Sequence, residues 1–486
     1  MTIEAKDEDD KVEVKLDNVN IDTSKQNKAA VSVTGSGDTT IELDGDNKLK
    51  SGSAHAGLEH NKTDTSGELT IQDNDKNGSL KAAGGQYGAG IGGAGVNDAQ
   101  VKITGGKITA TGGEYGAGIG GGFKGSGDVT ISGGEIHANG GNYGAGIGGG
   151  DYSSGKVTIS GGEINATGGY LGAGIGGGEK GRGDVTITGG EITSATGGKY
   201  GAGIGGGKEG RGDVTIEGNT EVNAAGGAGG AGIGGGYVAK NNSNQITIKS
   251  NENGSPTVNA VGGSRDKTTK FGGAGIGAGG DSTATTDITL EGKVTINATA
   301  GKDNAAIGAN GIEQEFPGLA GGTSITRKDS DKNDISPLPG DNVPDTDTPS
   351  GGGSTGGDST GGDSAGGDSA GGGSSGGGSA DASVQESVFP GLVVTDKDGQ
   401  RISYTSIRDN NVLSLRVGRF TASLRASLST LRQLRAEGID TITFQTILCS
   451  TTLSVDELLA MGGEDAEVVL THHIRSSTLT VGGRAV

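Results

Sequence analysis

Short apolar segments alternate with polar residues and glycines across much of the first two thirds of the chain. Residues 143–167, YGAGIGGGDYSSGKVTISGGEINAT, are one copy of this unit. The isoleucine of its G-A-G-I-G segment recurs at steps of 28, 28, 28, 29 and 29 residues: Ile91, Ile119, Ile147, Ile175, Ile204 and Ile233. Degenerate copies follow at Ile276 and Ile307. A period of this size predicts a solenoid, a propeller or an array, in which no single repeat can bury its own apolar face.

Three apolar segments recur within each unit, with the patterns V-T-I, G-G-E-I-x-A and G-A-G-I. Their alternation, their β-branched residues and the glycines that bound them are typical of strands. Nothing in the repeat has helical period, which excludes leucine-rich and ankyrin-type repeats. Three strands and three turns in 28 residues fit one coil of a three-sided parallel β-helix, whereas a propeller blade needs about 40 residues and four strands. We therefore predict a mainly β fold built on such a β-helix, with a β-roll or another β-solenoid as the alternative.

The chain divides into three predicted regions. Residues 1–332 form the solenoid, with atypical leading coils in which Leu58 occupies the position of Ile91. Residues 333–383 are a linker of glycine, serine and aspartate, a composition that behaves as a flexible coil. Residues 384–486 have no repeat and normal aliphatic content, and they predict a small α+β domain for attachment or interaction.

Two helices are predicted in this C-terminal domain. Leucines at helical spacing place the first over residues 423–437, before Gly438. The sequence S-V-D-E at residues 454–457 is a capping box that opens the second.

Composition and charge narrow the class of protein. The chain has 486 residues, 106 glycines and a net charge of −20, so no basic stripe for nucleic acid is present. The lone Cys449 excludes an internal disulfide framework, and no apolar run of about 18 residues predicts a transmembrane helix. Residues 1–12 are charged throughout and do not form a signal peptide. We expect a targeting segment to be missing from this sequence and the protein to be secreted or displayed on a bacterial cell surface.

The leading coils carry a resemblance to a known group of proteins. V-K-L-D-N-V-N-I (residues 14–21), A-A-V-S-V (29–33) and T-I-E-L-D-G-D-N (40–47) resemble the secreted bacterial carbohydrate-binding β-helix proteins of the pectate-lyase-like superfamily. The later G-A-G-I-G-G-G coils are similar to repeats of bacterial surface proteins. The resemblance covers roughly residues 10–310. It implies polysaccharide binding without turnover, assisted by calcium.

The outward positions of the strands supply the candidate ligand residues. Stacked coils place equivalent residues about 4.8 Å apart, so the glutamates of G-G-E-I form a column in which like charges repel. Bound calcium, which accepts oxygen ligands, would relieve that repulsion; a solvated acidic face is the alternative. The predicted ligand-binding residues are Glu135, Glu163, Glu191, Glu221, Asn165, Thr158 and Thr186. The predicted metal ligands are Glu135, Glu163 and Glu191.

The third strand and two turns admit several interpretations. In Y-G-A-G-I-G-G one side of the strand carries only glycine. Glycine permits the close approach of a ligand or of another solenoid, and it also permits tight turns. Tyr87, Tyr115 and Tyr143 form a column that predicts a structural ladder, with an aromatic platform for sugars as the alternative. The G-R-G-D turns at residues 181–184 and 210–213 recur as variants of one turn and do not predict adhesion.

The function predicted from these patterns is non-catalytic. Polysaccharide-cleaving enzymes need an acid and a base within reach of each other, and no such constellation interrupts the repeat. We predict that the solenoid binds an acidic polysaccharide and that the C-terminal domain binds the cell wall or a protein. The alternatives are a structural or adhesive stalk that binds a host or wall protein, and a degenerate polysaccharide lyase.

Overall fold

The computed structural model describes most of the chain outside the predicted linker. The described residues are 1–239, 243–336, 338, 341, 392–396, 399–402, 405–409, 411–417, 421–446, 449–461, 466–473 and 477–485. The chain divides into two units, Met1–Gly352 and Gly353–Val486, and each is described by itself. The predicted linker at 333–383 falls largely outside the described residues, so its boundaries stay a prediction.

The first unit is a parallel β-helix with three strands in each coil, as predicted. One coil consists of Gly127–Ile131, Glu135–Asn139 and Ile147–Gly148. Each strand pairs in parallel with its equivalent in the next coil, which lies about 29 residues further along the chain. These stacks form three sides, which we name the threonine face, the glutamate face and the isoleucine–glycine face after their recurring residues.

The strands of the solenoid are grouped by face. On the isoleucine–glycine face they are Thr2–Ala5, Val31–Gly35, Leu58–His60, Ile91–Gly92, Ile119–Gly120, Ile147–Gly148, Ile175–Gly176, Ile204–Gly205, Ile233–Gly234, Ile276–Gly277, Ile307–Ala309 and Ile312–Glu313. On the threonine face they are Lys11–Asp17, Asp38–Asp44, Leu69–Gln72, Ala99–Ile103, Gly127–Ile131, Gly212–Glu217, Asn244–Lys249 and Thr286–Glu291. On the glutamate face they are Asn20–Asp22, Asp46–Lys50, Ser79–Ala83, Lys107–Thr111, Glu135–Asn139, Glu221–Ala225, Thr257–Val261, Thr295–Thr299 and Ser324–Lys328. Two long strands run through both of these faces: Gly155–Thr167 and Gly183–Thr196.

Alternation along each strand builds the core. Val129 and Ile131 point inward and are fully buried, whereas Thr130 between them is half-buried on the outside. The isoleucines of the G-A-G-I segments stack into one fully buried column from Ile91 to Ile307. Leu58 pairs in register with Ile91, which confirms that the leading coils belong to the same solenoid.

The glycine side of the third strand is closed by the solenoid itself. Gly148 has a φ of +128°, and a Cβ atom placed there would lie 2.1 Å from the carbonyl oxygen of Gly176 in the next coil. At Gly118 a Cβ atom would lie 2.6 Å from the carbonyl oxygen of Gly146. Of the three explanations for the bare glycines, close packing between consecutive coils is therefore the one that the structure supports.

The C-terminal end of the solenoid is covered by a short hairpin and a buried arginine. Ile312–Glu313 pairs antiparallel with Ile307–Ala309. The Arg327 side chain is fully buried and donates from Nη2 to the carbonyl oxygen of Gln314, 3.0 Å away, and to Asp341 Oδ1, 3.2 Å away. Such a cap protects the last coil from pairing with another chain.

The described residues of the second unit form two sheets and two helices. One sheet consists of Leu392–Thr395, Ala422–Ser427, Glu467–His472, Ser477–Val481 and Arg484–Ala485. The other consists of Thr405–Asp409, Val412–Arg416, Thr441–Gln445 and Ser450–Ser454. The helices are Leu428–Ala436 and Val455–Ala460. No helix among the described residues is long and apolar enough to span a membrane.

The first helix of this unit is shorter than predicted. Residues 423–427 belong to a strand that pairs with both Leu392–Thr395 and Glu467–His472. The position of Leu424 is compatible with the period of a helix and with that of a strand, and the pairing on both sides makes this segment a strand. Ser427 then caps the helix by accepting a hydrogen bond from the Thr430 backbone. The capping role predicted for Ser454 is confirmed, because its side chain accepts from the Glu457 N–H at 3.4 Å.

Candidate functional site

The predicted glutamate column is present on the outside of the glutamate face. Strand pairing places Glu135, Glu163, Glu191 and Glu221 in register in four consecutive coils, and Lys107 precedes them. Glu163 is exposed, and the other three glutamates are half-buried. The column thus presents one carboxylate per coil along a continuous surface.

Two basic side chains contact Glu135, the first glutamate of the column. Lys107 Nζ lies 2.6 Å and His137 Nε2 lies 3.1 Å from its Oε1 atom. Burial acts to raise the pKa of Glu135, but the contacts with Lys107 and His137 outweigh burial and lower the pKa. The carboxylate is therefore held in its ionised form at the N-terminal end of the column.

The spacing of the column limits how a metal ion could bind. Adjacent carboxylates are one coil apart, so the first and third of any three are separated by about 9.6 Å. Among the described residues, three carboxylates bring one oxygen each within 4.8 Å of one another at a different place, outside this column. A single ion could therefore contact two neighbouring glutamates, and metal binding by Glu135, Glu163 and Glu191 stays a prediction.

The group that does converge is Glu42, Asp73 and Asp75, at the threonine face of the leading coils. Both oxygens of Glu42 accept hydrogen bonds from Asn74, at 2.7 Å from the backbone and 2.8 Å from the side chain. Burial raises the pKa of Asp73, and the backbone hydrogen bonds that it accepts do not offset this effect. These three carboxylates can supply oxygen ligands of the kind that calcium prefers.

A sequence signal for this group exists, and the sequence analysis missed it. Residues 73–78 read D-N-D-K-N-G, which is the spacing of the first six positions of an EF-hand calcium loop. The bidentate glutamate of that loop is absent, because Gly84 occupies its position. Glu42, from the preceding coil, brings the third carboxylate instead.

The predicted threonine ligands lie in a regular row. Thr158 pairs in register with Thr130 before it and Thr186 after it, and all three are half-buried on the outside of the threonine face. Their strands continue into the glutamate face in two coils, so the hydroxyl row and the carboxylate column belong to one sheet.

In the next coil, Asn165 pairs with a different residue from the one that a constant repeat length predicts. It pairs with His137 in the preceding coil and with Ser194 in the next, because an extra residue shifts the register there and leaves Thr193 exposed. Thr193 instead reaches Glu163, with 3.5 Å between its hydroxyl and Oε1. A further row, not identified from the sequence, extends the polar surface. Asn259 Nδ2 donates to Asn223 Oδ1 at 2.9 Å, and Asn297 Nδ2 donates to Asn259 Oδ1 at 2.8 Å.

The G-R-G-D turns form part of a charge ladder. Arg182 Nη2 lies 2.5 Å from Asp213 Oδ2 and 3.7 Å from Asp184 Oδ2, so one arginine contacts the aspartates of both turns. Lys156 Nζ lies 3.5 Å from Asp128 in the same row. These charges pair with one another along the edge of a shallow groove of about 260 Å³.

The tyrosine column is a stacked ladder. The ring centroids of Tyr87 and Tyr115 are 5.2 Å apart, those of Tyr115 and Tyr143 are 5.0 Å apart, and the rings are nearly parallel. Phe123 packs edge-on against the first two rings. Because the rings cover one another's faces, the structural interpretation fits better than a platform for sugars.

Comparison with known proteins agrees with the coil geometry. A family model described as a β-helix repeat matches residues 101–123, 129–151, 157–179, 185–208 and 214–237. Each match runs from the threonine face to the turn after the isoleucine–glycine strand. Neither the curated proteins nor the solved structures contain a match. The five repeat matches and the parallel stacking of the coils together identify the chain as a β-helix protein.

Proposed function

We propose that this protein binds a carbohydrate without cleaving it, and that its ligand is an acidic polysaccharide lying along the glutamate face. The observation that carries the proposal is the in-register column from Glu135 to Glu221, with hydroxyl and amide side chains on neighbouring rows. A linear polymer with regularly repeated carboxylates and hydroxyls matches such a one-dimensional array. Binding of this kind suits a secreted or bacterial surface protein.

Charge determines what else the complex needs. The chain has a net charge of −20, so direct contact between the column and a polyanion is repulsive. Calcium bridging two neighbouring glutamates to a ligand carboxylate removes that repulsion and uses only oxygen ligands. Lys107 gives the column a fixed cation at its N-terminal end.

Calorimetric titration of the full chain with polygalacturonate and with a neutral glucan tests the proposal, first in calcium and then with a chelator. We expect binding of the acidic polymer only, and we expect the chelator to abolish it. Changing Glu135, Glu163 and Glu191 together to Gln should remove this binding. The control carries the same chemical change at three exposed glutamates of the first coil: Glu4, Glu8 and Glu13.

A second control locates the calcium. Asp73→Asn combined with Asp75→Asn disables the converging carboxylates near Glu42 and leaves the glutamate column intact. If this variant binds the polymer normally in calcium, the bridging ion belongs to the column. If it loses binding while the column variant keeps it, the assignment to the glutamate face is wrong.

The titration also separates the proposal from a structural or adhesive stalk. Unchanged binding in the column variant contradicts the glutamate face as the ligand surface. No heat with any glycan favours the stalk, in which the solenoid is a spacer and the C-terminal domain makes the attachment.

A further inference from the structure

Asp151 lies in the turn that follows the isoleucine–glycine strand. Its N–H donates to the carbonyl oxygen of Tyr115 in the preceding coil at 2.8 Å, and Glu179 repeats this contact with Tyr143 at 2.9 Å. The two acidic residues therefore occupy equivalent positions, one coil apart, beside the tyrosine ladder. The residues at this position in successive coils are Phe123, Asp151, Glu179, Lys208 and Tyr237.

Asp151 and Glu179 are both almost completely buried, and only Glu179 has an ion pair with a basic side chain among the residues that the structure describes. Asp151 is 2% exposed and Glu179 is 7% exposed. Lys208 Nζ lies 3.3 Å from Glu179 Oε1 on the side away from Asp151. Asp151 Oδ1 is buried and has no hydrogen-bond partner among the residues that the structure describes. A buried, charged carboxylate oxygen that lacks a hydrogen-bond partner is destabilising unless the group is neutralised.

The nearby lysines do not neutralise Asp151. Lys124 Nζ lies over the ring of Phe123, 5.1 Å from its centroid, and Lys180 Nζ lies over the ring of Tyr152 at 4.6 Å. Within the described parts of the chain, no basic side chain forms an ion pair with Asp151.

The electrostatic surroundings of Asp151 favour its neutral form. Burial, and then the negative charge of Glu179, raise the pKa of Asp151 to about 6, and the opposing effects of the Tyr152 backbone hydrogen bond, Lys180 and Lys124 are smaller. Another titratable group near Asp151 is the Tyr115 phenol of the preceding coil, whose pKa is raised and which is therefore neutral.

We propose that Asp151 and Glu179 form a proton-binding carboxyl pair that fixes this turn and the adjoining tyrosine ladder under mildly acidic conditions. With the proton bound, Asp151 is neutral and Glu179 keeps its contact with Lys208. Without it, two like charges face each other one coil apart in a site that excludes water. The turn then loosens, and with it the hydrogen bonds that hold the carbonyls of Tyr115 and Tyr143.

Hydrogen exchange on the full chain between about pH 4.5 and about pH 7.5 tests the proposal, after correction for the intrinsic exchange rate. We expect the protection of the Asp151 and Glu179 amides to fall about tenfold as the pH rises. Asp151→Asn, an isosteric and neutral replacement, should hold high protection across the range. Asp184→Asn, which removes an exposed carboxylate on the threonine face, is the matched control and should keep the wild-type profile.

Glu179→Gln provides a second, independent variant. It removes the repelling charge, which lowers the pKa of Asp151, so the fall in protection should move to lower pH and become smaller. Protection that is constant in the wild type, or a fall that survives in Asp151→Asn, overturns the proposal. Calcium that restores protection at neutral pH also overturns it, because a metal ion would then be the natural occupant of the pair.

Discussion

Replacement of Arg327 tests how the last coil of the solenoid is held. The guanidinium group has no exposed surface, bonds to Asp341 and to the carbonyl oxygen of Gln314, and has Glu313 3.6 Å from Nε. Its Cζ atom lies 5.6 Å from the centre of the Phe316 ring. Arg327→Leu keeps a large apolar group in the same space and removes every one of these polar contacts.

The expected loss follows from what the substitution leaves behind. The Asp341 side chain is 3% exposed, so without the arginine it becomes a buried charge with no cationic partner. Breaking a buried ion pair in this way costs about 3–5 kcal/mol, whereas replacing both partners by apolar groups is often neutral. We therefore expect Arg327→Leu to be strongly destabilising and the double variant Arg327→Leu with Asp341→Leu to recover most of the loss.

The assay must be local, because coils at the end of a solenoid can unfold without the rest. Hydrogen exchange of the Ser324–Lys328 amides in increasing urea reports on the last coil, and the Ile147–Gly148 amides serve as the internal reference. The reasoning is refuted if the single and double variants differ by less than about 0.5 kcal/mol in the last coil. Equal losses in both strands would instead indicate global unfolding.

The pH dependence of the same coil has a defined sign. Burial acts to raise the pKa of Asp341, but the bonds with Arg327 and the backbone outweigh burial and lower the pKa from its ordinary value of 3.8. The ionised group therefore stabilises the fold above pH 3.8, and this stabilisation is lost as the pH falls through the lower folded value. Protection of the last coil should fall in acid in the wild type and stay nearly constant in the double variant.

Three further predictions follow from individual residues. The folded pKa of Asp151, about 6, exceeds its ordinary value of 3.8, so stability is lost as the pH rises between these values. At neutral pH, Asp151→Asn should therefore be more stable in urea than the wild type, by up to about 3 kcal/mol. Val238 is β-branched and has a φ of 60°, so Val238→Gly should stabilise the folded protein against thermal unfolding by about 1–2 kcal/mol. Gly148→Ala should destabilise by about 2–5 kcal/mol. Gly105→Ala, whose nearest contact is 3.2 Å and whose φ is not positive, should be tolerated; equal losses at the two glycines would contradict close coil packing.

The coil architecture was predictable because one pattern is repeated many times. Val129 and Ile131 alternate with Thr130 in a way that any single strand could show, but the same alternation every 28 or 29 residues leaves few folds possible. The atypical leading coils were also assigned correctly to the solenoid, because Leu58 occupies the position equivalent to Ile91 and pairs with it. Repetition thus supplied the long-range information that a single segment lacks.

The features that the sequence predicted wrongly, or did not predict, depend on contacts between segments distant in sequence. Residues 423–427 were predicted to be helical, and strands on both sides made them extended. The partner of Asn165 is Ser194, because one extra residue in that coil moves the register. Asp151 Oδ1 has no hydrogen-bond partner because of which side chains of the neighbouring coils lie near it, and the repeat pattern does not contain that information.

The distribution of charge across the three faces explains why the glutamate face is the best candidate for a ligand. The isoleucine–glycine face is closed by backbone contacts between coils, as at Gly148. On the threonine face, aspartates of the register row from Asp128 to Asp213 are paired with cations: Lys156 contacts Asp128, and Arg182 contacts Asp184 and Asp213. In the register row that runs from Ser79 to Ser324 on the glutamate face, by contrast, Lys107 is the only basic residue beside four glutamates. An excess of negative charge repeated at coil spacing attracts cations to this row, and this is the physical ground on which we propose it as the site of a calcium-bridged polyanion.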